Sequence, residues 1–173
     1  MSVTSSQPRD WSRFHIAAHW TILVLVVFQL VSREGMAHWF DASNGEGAAS
    51  STDVTLAVAH AVAGASILVL TLLRIWDRHS HGRPSYPADH PAWATMLSKL
   101  NHLLLYAVLV AMPLLGASAL LSGSETLGNL HGALAPVLLG LVALHVVGAL
   151  AEHYYFKTDL LRRMLGRGGA RAR

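Results

Sequence analysis

The stretch NLHGALAPVLLGLVALHVVGALAEHYYF, residues 129–156, decides the fold of this chain. It is an almost unbroken apolar run, and it is long enough to cross a membrane as a helix, since about 20 helical residues span the hydrocarbon core. His131 and His145 lie fourteen residues apart within it. In an α-helix this interval rises about 21 Å and brings both side chains to within roughly 40° of one face. Because ionisable residues inside a membrane are costly, the pair predicts a function at two depths.

Composition predicts that the whole chain is a membrane protein. Of its 173 residues 53% are hydrophobic and 13% are charged, whereas soluble domains carry about 25% charged residues. Four apolar segments are long enough to span a membrane: residues 14–32, 55–76, 97–122 and 132–156. We therefore expect an all-α transmembrane four-helix bundle, formed by one domain over residues 9–165. The basic tail at residues 166–173 is expected either to contact anionic lipid or to serve only as a topology signal.

Several classes of protein are excluded by the residue content. The chain has no cysteine, which excludes disulfides, thiolate-ligated zinc, iron–sulfur clusters and haem attached through a CxxCH motif. It has no GxSxG motif, no P-loop and no pair of carboxylates within the apolar segments, so hydrolysis and phosphoryl transfer are not expected. Its basic residues follow the membrane topology, which argues against nucleic-acid binding. The 11 histidines remain as the residues that carry chemistry.

The basic residues predict the orientation of the bundle. With four spans, both termini and the connection between the second and third spans share one side of the membrane. That side holds all 13 Lys and Arg residues except Arg33: Arg9, Arg13, Arg74, Arg78, Arg83, Lys99, Lys157, Arg162, Arg163, Arg167, Arg171 and Arg173. By the positive-inside rule both termini are expected in the cytoplasm. The opposite side carries five carboxylates: Glu34, Asp41, Glu46, Asp53 and Glu125.

Helix direction assigns a depth to each histidine of the apolar segments. The first helix enters from the cytoplasm, so His19 lies near the inner surface, and the second enters from outside, so His60 lies near the outer one. On the fourth helix His131 is outer and His145 inner. The expected pairs are therefore His60 with His131 and His19 with His145. Facing imidazoles without a carboxylate or thiolate suit the two axial positions of a haem iron better than tetrahedral zinc.

Other histidines compete with this assignment. A single buried histidine is more often a hydrogen-bonded packing residue than a ligand. His102 begins the third segment at about the depth of His19 and His145, so it could replace one of them, bond a haem propionate or lie beside a substrate. His153, at the inner boundary, could carry protons, bind a head group or simply reach the interface. With Arg74 and the inner aromatic residues it could frame a slot for a quinone.

The remaining histidines are expected to lack a role in binding. We expect His15 to reach the inner interface as an amphipathic side chain. His38 is expected in the outer loop 33–54, and His79, His81 and His90 in a solvent-exposed inner loop.

Four stretches resemble the bacterial cytochrome b561 family: RFHIAAHW, VAHAVAGASILVLTLLR, LNHLLLYAVLVAMPLLG and LHGALAPVLLGLVALHVVGALAEHYYF, in this order. The resemblance covers about residues 9–165 and implies a four-helix membrane bundle with two b-type haems. It implies that His19 and His145 ligate the inner haem and that His60 and His131 ligate the outer one, in agreement with the pairs expected from topology.

The resemblance also implies an activity in the bacterial inner membrane. Proteins of this kind pass electrons from an outer donor to membrane ubiquinone, and superoxide is the donor for the superoxide-oxidising ones. His153, in the stretch EHYYF, matches a position that is implied to contact the quinone. The expected function is that of a superoxide:ubiquinone oxidoreductase, an enzyme, with Arg33 as a weak attractor of the anionic substrate.

Two other functions remain open at this point. One is a membrane anchor that transfers electrons for a periplasmic dehydrogenase or hydrogenase, because the acidic outer loop 33–54 would dock a basic protein better than it would gather an anion. The other is a histidine-rich metal transporter, which would show no haem absorption.

Overall fold

A computed structural model describes residues 10–84, 86–87 and 90–167. The described residues form four long helices, α1 (Arg13–Ser43), α2 (Ser51–His81), α3 (Ala92–Ser122) and α4 (Glu125–Tyr154), and a short helix α5 (Leu160–Met164). They contain no β-strand. Each long helix is long and apolar enough to cross a membrane. The expected all-α architecture with four spans is therefore confirmed. Arg9 and residues 168–173 of the basic tail lie outside the described residues.

Each long helix extends beyond at least one end of the apolar segment that predicts it. The outer loop expected at residues 33–54 is wrong, because α1 continues to Ser43 and only residues 44–50 connect it to α2. A capping box explains where α2 begins: the Ser50 side chain accepts from the Asp53 N–H, while the Asp53 carboxylate accepts from the Ser50 N–H at 2.9 Å. A helix of 31 residues measures about 46 Å, so its ends project beyond a hydrocarbon core of about 30 Å.

The bundle has two ends of opposite charge. At the basic end, α1 and α3 begin and α2 and α4 end; its cations are Arg13, Arg74, Arg78, Arg83, Lys99, Lys157, Arg162, Arg163 and Arg167. At the acidic end lie the connections between α1 and α2 and between α3 and α4; its charged residues are Arg33, Glu34, Asp41, Glu46, Asp53 and Glu125.

A small apolar core separates the two ends. Ile22 and Val26 of α1, Ile67 of α2 and Leu138 of α4 are buried together midway along the bundle. Most other large apolar side chains point outward, and Leu121 is 90% exposed. Such exposure fits a helix surface that faces lipid instead of water. The closest packing joins α1 to α2 and α3 to α4.

Gly35 is a point of close approach between α1 and α2, so we expect Gly35→Ala to destabilise the bundle. A Cβ atom there would lie 2.7 Å from Leu56 Cβ, which moves only with its own backbone. Overpacking of this kind costs about 1–3 kcal/mol, more than the gain of about 1 kcal/mol in helix propensity. The midpoint of thermal unfolding in detergent should fall. Gly140→Ala is the matched control, since nothing lies within 4 Å of its added Cβ; equal midpoints would contradict the prediction.

Candidate functional site

His60 of α2 and His131 of α4 meet near the acidic end. Their ring centroids are 6.2 Å apart with an interplanar angle of 67°. His131 Nδ1 donates to the Met112 carbonyl at 2.8 Å. His60 Nδ1 donates to Ser32 Oγ at 3.0 Å, and the Ser32 hydroxyl donates in turn to the Phe28 carbonyl at 3.0 Å. These bonds place the proton of each imidazole on Nδ1 and leave both Nε2 atoms available as ligands.

His19 of α1 and His145 of α4 form a matching pair near the basic end. Their ring centroids are 6.0 Å apart with an interplanar angle of 64°. His102 of α3 lies beside them, with its ring perpendicular to His145 at a centroid distance of 4.9 Å. His102 Nδ1 donates to the Ser98 carbonyl at 2.6 Å. The structure thus brings together both pairs that the sequence predicts and sets His102 next to one of them.

The two pair separations suit one metal held between two imidazoles. Metal–nitrogen bonds of about 2.0 Å set opposed nitrogens about 4 Å apart and ring centroids, each about 1.1 Å further back, about 6 Å apart. The 4.9 Å between His102 and His145 is too short for this arrangement. Among the residues that the structure describes, no group of three or more His, Cys, Asp or Glu could hold a metal ion. The pairs therefore fit a cofactor that supplies its other ligands itself, as haem does.

A cavity of about 710 Å³ opens beside the His60–His131 pair and reaches the acidic end. This volume lies within the range of about 300–1,000 Å³ typical of cofactor sites. Its walls are mostly apolar, and several residues that line it with the pair are small: Ala61, Gly64 and Ala65 of α2, Gly116 of α3 and Ala135 of α4. A flat apolar ring such as haem fits these walls, and larger side chains would fill the space.

Two glycines keep the acidic-end pair in place. A Cβ atom on Gly116 would lie 3.1 Å from His131 Nδ1, so the glycine leaves room for the His131 ring to reach the Met112 carbonyl one turn earlier. A Cβ atom on Gly64 would lie 3.1 Å from Gln29 Nε2, which donates to the His60 carbonyl at 3.0 Å. Because these two positions lack a Cβ atom, a side chain from a neighbouring helix has room to donate a hydrogen bond to a helix carbonyl: His131 to that of Met112 and Gln29 to that of His60.

His15 does not reach the interface as the sequence suggests, because it is buried with charged partners. Its Nδ1 donates to Asp77 Oδ2 at 3.2 Å, and its Nε2 accepts from Arg74 Nη2 at 3.1 Å. Trp11 stacks on the ring with a centroid distance of 4.3 Å. Only 1% of His15 is exposed, which is possible because both ring nitrogens are hydrogen-bonded.

The side chain of His90 is likewise buried, contrary to its expected place in an exposed loop. Its Nε2 donates to Glu152 Oε1 at 2.9 Å and its Nδ1 lies 2.7 Å from Thr95 Oγ1. Glu152 also accepts from Thr158 Oγ1 at 3.1 Å. A carboxylate buried at the end of α4 requires such partners, and the chain supplies one by folding His90 inward. His79 and His81 are exposed, as expected, but their expected place in a loop is wrong, because α2 continues to His81.

The other predicted site residues, Arg33, Arg74 and His153, belong to neither pair. Arg33 is exposed at the mouth of the cavity, 4.0 Å from Glu34 Oε1. Arg74 is buried against His15 and lies 5.9 Å from the centre of the Tyr106 ring. His153 packs edge-on against Tyr154, and its Nδ1 is buried without a hydrogen-bond partner among the described residues. A small cleft at the basic end is lined by Trp11, Arg78, Arg83, Pro84, Tyr86, Lys99, His102 and Leu160.

Some residues that shape the site carry little or no signal in the sequence. Ser32, Gln29 and Gly116 act across helix interfaces that spacing along one chain does not reveal. For Asp77 and His15 the sequence does carry a signal, because Asp77 lies three residues from Arg74 and His15 lies four residues from His19. Such intervals place the side chains of each pair on one helix face.

Comparisons with known proteins identify one family. Residues 10–167 match the protein family described as Prokaryotic cytochrome b561. Cytochrome b562 of Cereibacter sphaeroides is 31% identical over 163 residues, which cover 92% of this chain and 98% of that protein. Cytochrome b561 homolog 1 of Escherichia coli (strain K12) is 27% identical, with 91% and 97% covered. Probable superoxide oxidase CybB of Yersinia pestis is 25% identical, with 91% and 96% covered.

Proposed function

The chain belongs to the prokaryotic cytochrome b561 family of membrane electron-transfer proteins, and from that premise we propose that it is a di-haem ubiquinone reductase. The observation that carries the proposal is the pair of matched imidazole sites, at 6.0 Å and 6.2 Å, one near each end of the bundle. Family membership implies b-type haem. His19 and His145 would hold one haem and His60 and His131 the other, and the bound haems would supply one-electron carriers.

The basic end of the bundle is the cytoplasmic end in this proposal. The positive-inside rule supports it, since the cations collect at that end and Arg33 is the exception within the described residues. Both termini then face the cytoplasm of a bacterial cell, and the cavity beside His60 and His131 opens on the outer side of the inner membrane.

Ubiquinone is proposed to bind at the basic end, close to His145. The small cleft there combines flat aromatic walls, Trp11 and Tyr86, with the cations Arg78 and Lys99. Cations stabilise negative charge that develops on a carbonyl oxygen during reduction. His102, also in the cleft, has its Nδ1 bonded to the chain, so its Nε2 is available to hold a proton. Reduction at this end would draw protons from the cytoplasm.

The donor that the resemblance favours is superoxide. Two superoxide ions would each give up one electron and leave as dioxygen, and one quinone would take both electrons and two protons to become quinol. Arg33 would attract the anion at the mouth of the cavity. The relative in Yersinia pestis, a probable superoxide oxidase by its name, supports this donor.

The charge around the cavity favours a second candidate function. The mouth beside Arg33 is lined by Glu34, Asp41, Glu46 and Glu125, all exposed. An excess of carboxylates repels an anion and attracts a cationic surface. In this alternative the chain is a membrane anchor that accepts electrons from a basic region of a periplasmic dehydrogenase or hydrogenase.

Spectroscopy of the purified protein tests the feature that both candidate functions share, the binding of two b-type haems. A dithionite-reduced-minus-oxidised spectrum with haem quantitation should give two b-type haems per chain. Mixing with superoxide in a stopped-flow instrument then separates the donors: haem reduction at a near-diffusional rate supports the oxidase. The absence of that reduction, together with rapid reduction by a cationic redox protein such as reduced cytochrome c, supports the anchor.

Charge variants at the mouth sharpen the choice of donor. Glu125→Gln removes a negative charge, so it should speed reduction by superoxide about two- to threefold and slow reduction by a cationic protein by a similar factor. Arg33→Gln should do the opposite. Rates that do not respond to either variant would place the donor elsewhere on the protein.

A further inference from the structure

A chain of hydrogen bonds at the basic end holds a buried guanidinium in place. Arg74 is 8% exposed and Asp77 is 5% exposed, both on α2. They do not bond each other directly. His15 bridges them, donating to Asp77 Oδ2 from Nδ1 at 3.2 Å and accepting from Arg74 Nη2 on Nε2 at 3.1 Å. Ser12 Oγ donates to the same carboxylate at 2.9 Å. The Arg74 guanidinium is protonated, as arginine is in proteins, and the Asp77 carboxylate reaches it only through the imidazole.

Packing alone does not account for a cation in this position. Burial of a charge costs on the order of several kcal/mol, which a direct ion pair with full hydrogen bonding offsets best. Arg74 is instead linked to the Asp77 carboxylate through the His15 imidazole. Its Nε–H is buried with no acceptor among the described residues. An apolar side chain of similar volume would avoid these costs.

The histidine pair of the basic end lies close to Arg74, and it is the proposed site of a redox cofactor. His15, in contact with Arg74, lies one helical turn before His19 on α1. On the other side, Arg74 lies 5.9 Å from the centre of the Tyr106 ring. Tyr106 is one turn after His102 on α3, and the His102 ring lies 4.9 Å from that of His145. The guanidinium thus contacts a residue one turn from His19, and it neighbours His145 through Tyr106 and His102, in surroundings where charge is weakly screened.

The pair at the acidic end has no comparable charge among the described residues. Arg33 is the cation of that end, and its side chain is 63% exposed, so solvent screens it. The carboxylates at the mouth of the cavity are exposed as well. The two pairs match in geometry, yet they differ in the fixed charge around them.

We propose that Arg74, positioned by His15 and Asp77, raises the reduction potential of the metal held by His19 and His145 above that held by His60 and His131. A fixed positive charge stabilises the added electron, so electrons would run from the acidic end to the basic end. The inference rests on the proposed function, since it needs both haems.

Optical redox titration of the holoprotein tests the inference, with the basic-end component identified as the one lost in His145→Ala. Arg74→Gln should make reduction of that component about tenfold less favourable, a downward shift of about 59 mV for one electron. Arg74→Lys should keep the potential, because it keeps the charge. Asp77→Asn should raise the potential, since it removes a negative charge and keeps an oxygen that accepts from His15. The acidic-end component should not move.

Arg13→Gln is the matched control, because Arg13 is an exposed cation at the same end and solvent screens its charge. Shifts of the same sign in Arg74→Gln and Asp77→Asn would indicate structural damage and overturn the inference. An equal downward shift in Arg74→Lys and Arg74→Gln, or none in Arg74→Gln, would also overturn it. If the wild-type protein holds fewer than two haems, the proposed function itself fails; two haems with potentials insensitive to Arg74 leave that function standing and remove only this inference.

Discussion

Replacing His131 with alanine should remove one of the two haems from the protein and leave the other in place. His131 would be one of the two side chains that hold this haem, and His60 alone would remain to hold it in the variant. His145→Ala should remove the other haem, and the double variant should show no haem absorption. Haem quantitation and the reduced-minus-oxidised spectrum measure each loss as a fall from two haems per chain to one and then to none.

Two control variants make this result specific. His38→Ala changes an exposed histidine of the acidic end and should retain both haems. His102→Ala should also retain both, because the His102 ring is too close to His145 to share a metal with it. Loss of a haem in His102→Ala would make His102 a ligand and displace His19. Unchanged haem content in both His131→Ala and His145→Ala would refute the proposed ligands.

Gly116→Val is expected to remove the haem at the acidic end almost as completely as loss of His131. The new Cβ atom would lie 3.1 Å from His131 Nδ1 and 3.2 Å from Cε1, and valine adds two methyl groups beyond it. The ring must then turn away from the Met112 carbonyl, which breaks the hydrogen bond that holds Nδ1. Second-layer partners of this kind commonly change metal affinity by about 10–100-fold, and here the ring itself moves.

Gly140→Val controls for the cost of valine in a helix, because nothing lies within 4 Å of an added Cβ at Gly140. It should bind two haems at wild-type levels. In Gly116→Val the spectrum should keep only the component that His145→Ala loses. Equal haem content in the two variants would show that Gly116 does not shape the site.

The architecture was predictable from the sequence because membrane spans follow from length and apolarity alone. The ends of the helices were not, since they depend on caps and polar turns outside the membrane. The extension of α1 to Ser43 is an example: residues 33–43 are polar enough to suggest a loop, yet they continue the helix and pack along α2 at Gly35. Hydropathy reports where lipid lies and does not report where a helix stops.

The histidine pairs were predictable for a similar reason. Helix rise and direction determine depth, and depth decides that His19 faces His145 and that His60 faces His131. Contacts between side chains of different helices were not predictable. His90 is the clearest case, because its side chain is buried by a contact with Glu152 of α4. The ligand roles themselves stay predictions until haem is counted.

Helix α4 contributes one histidine to each pair, and this has a consequence for how the protein is assembled. The closest packing makes two helical hairpins, α1 with α2 and α3 with α4. On the proposed ligation each cofactor joins one hairpin to the other, since His145 reaches α1 and His131 reaches α2. The hairpins would insert into the bilayer as separate units, and cofactor delivery would then act as the step of biogenesis that locks them together.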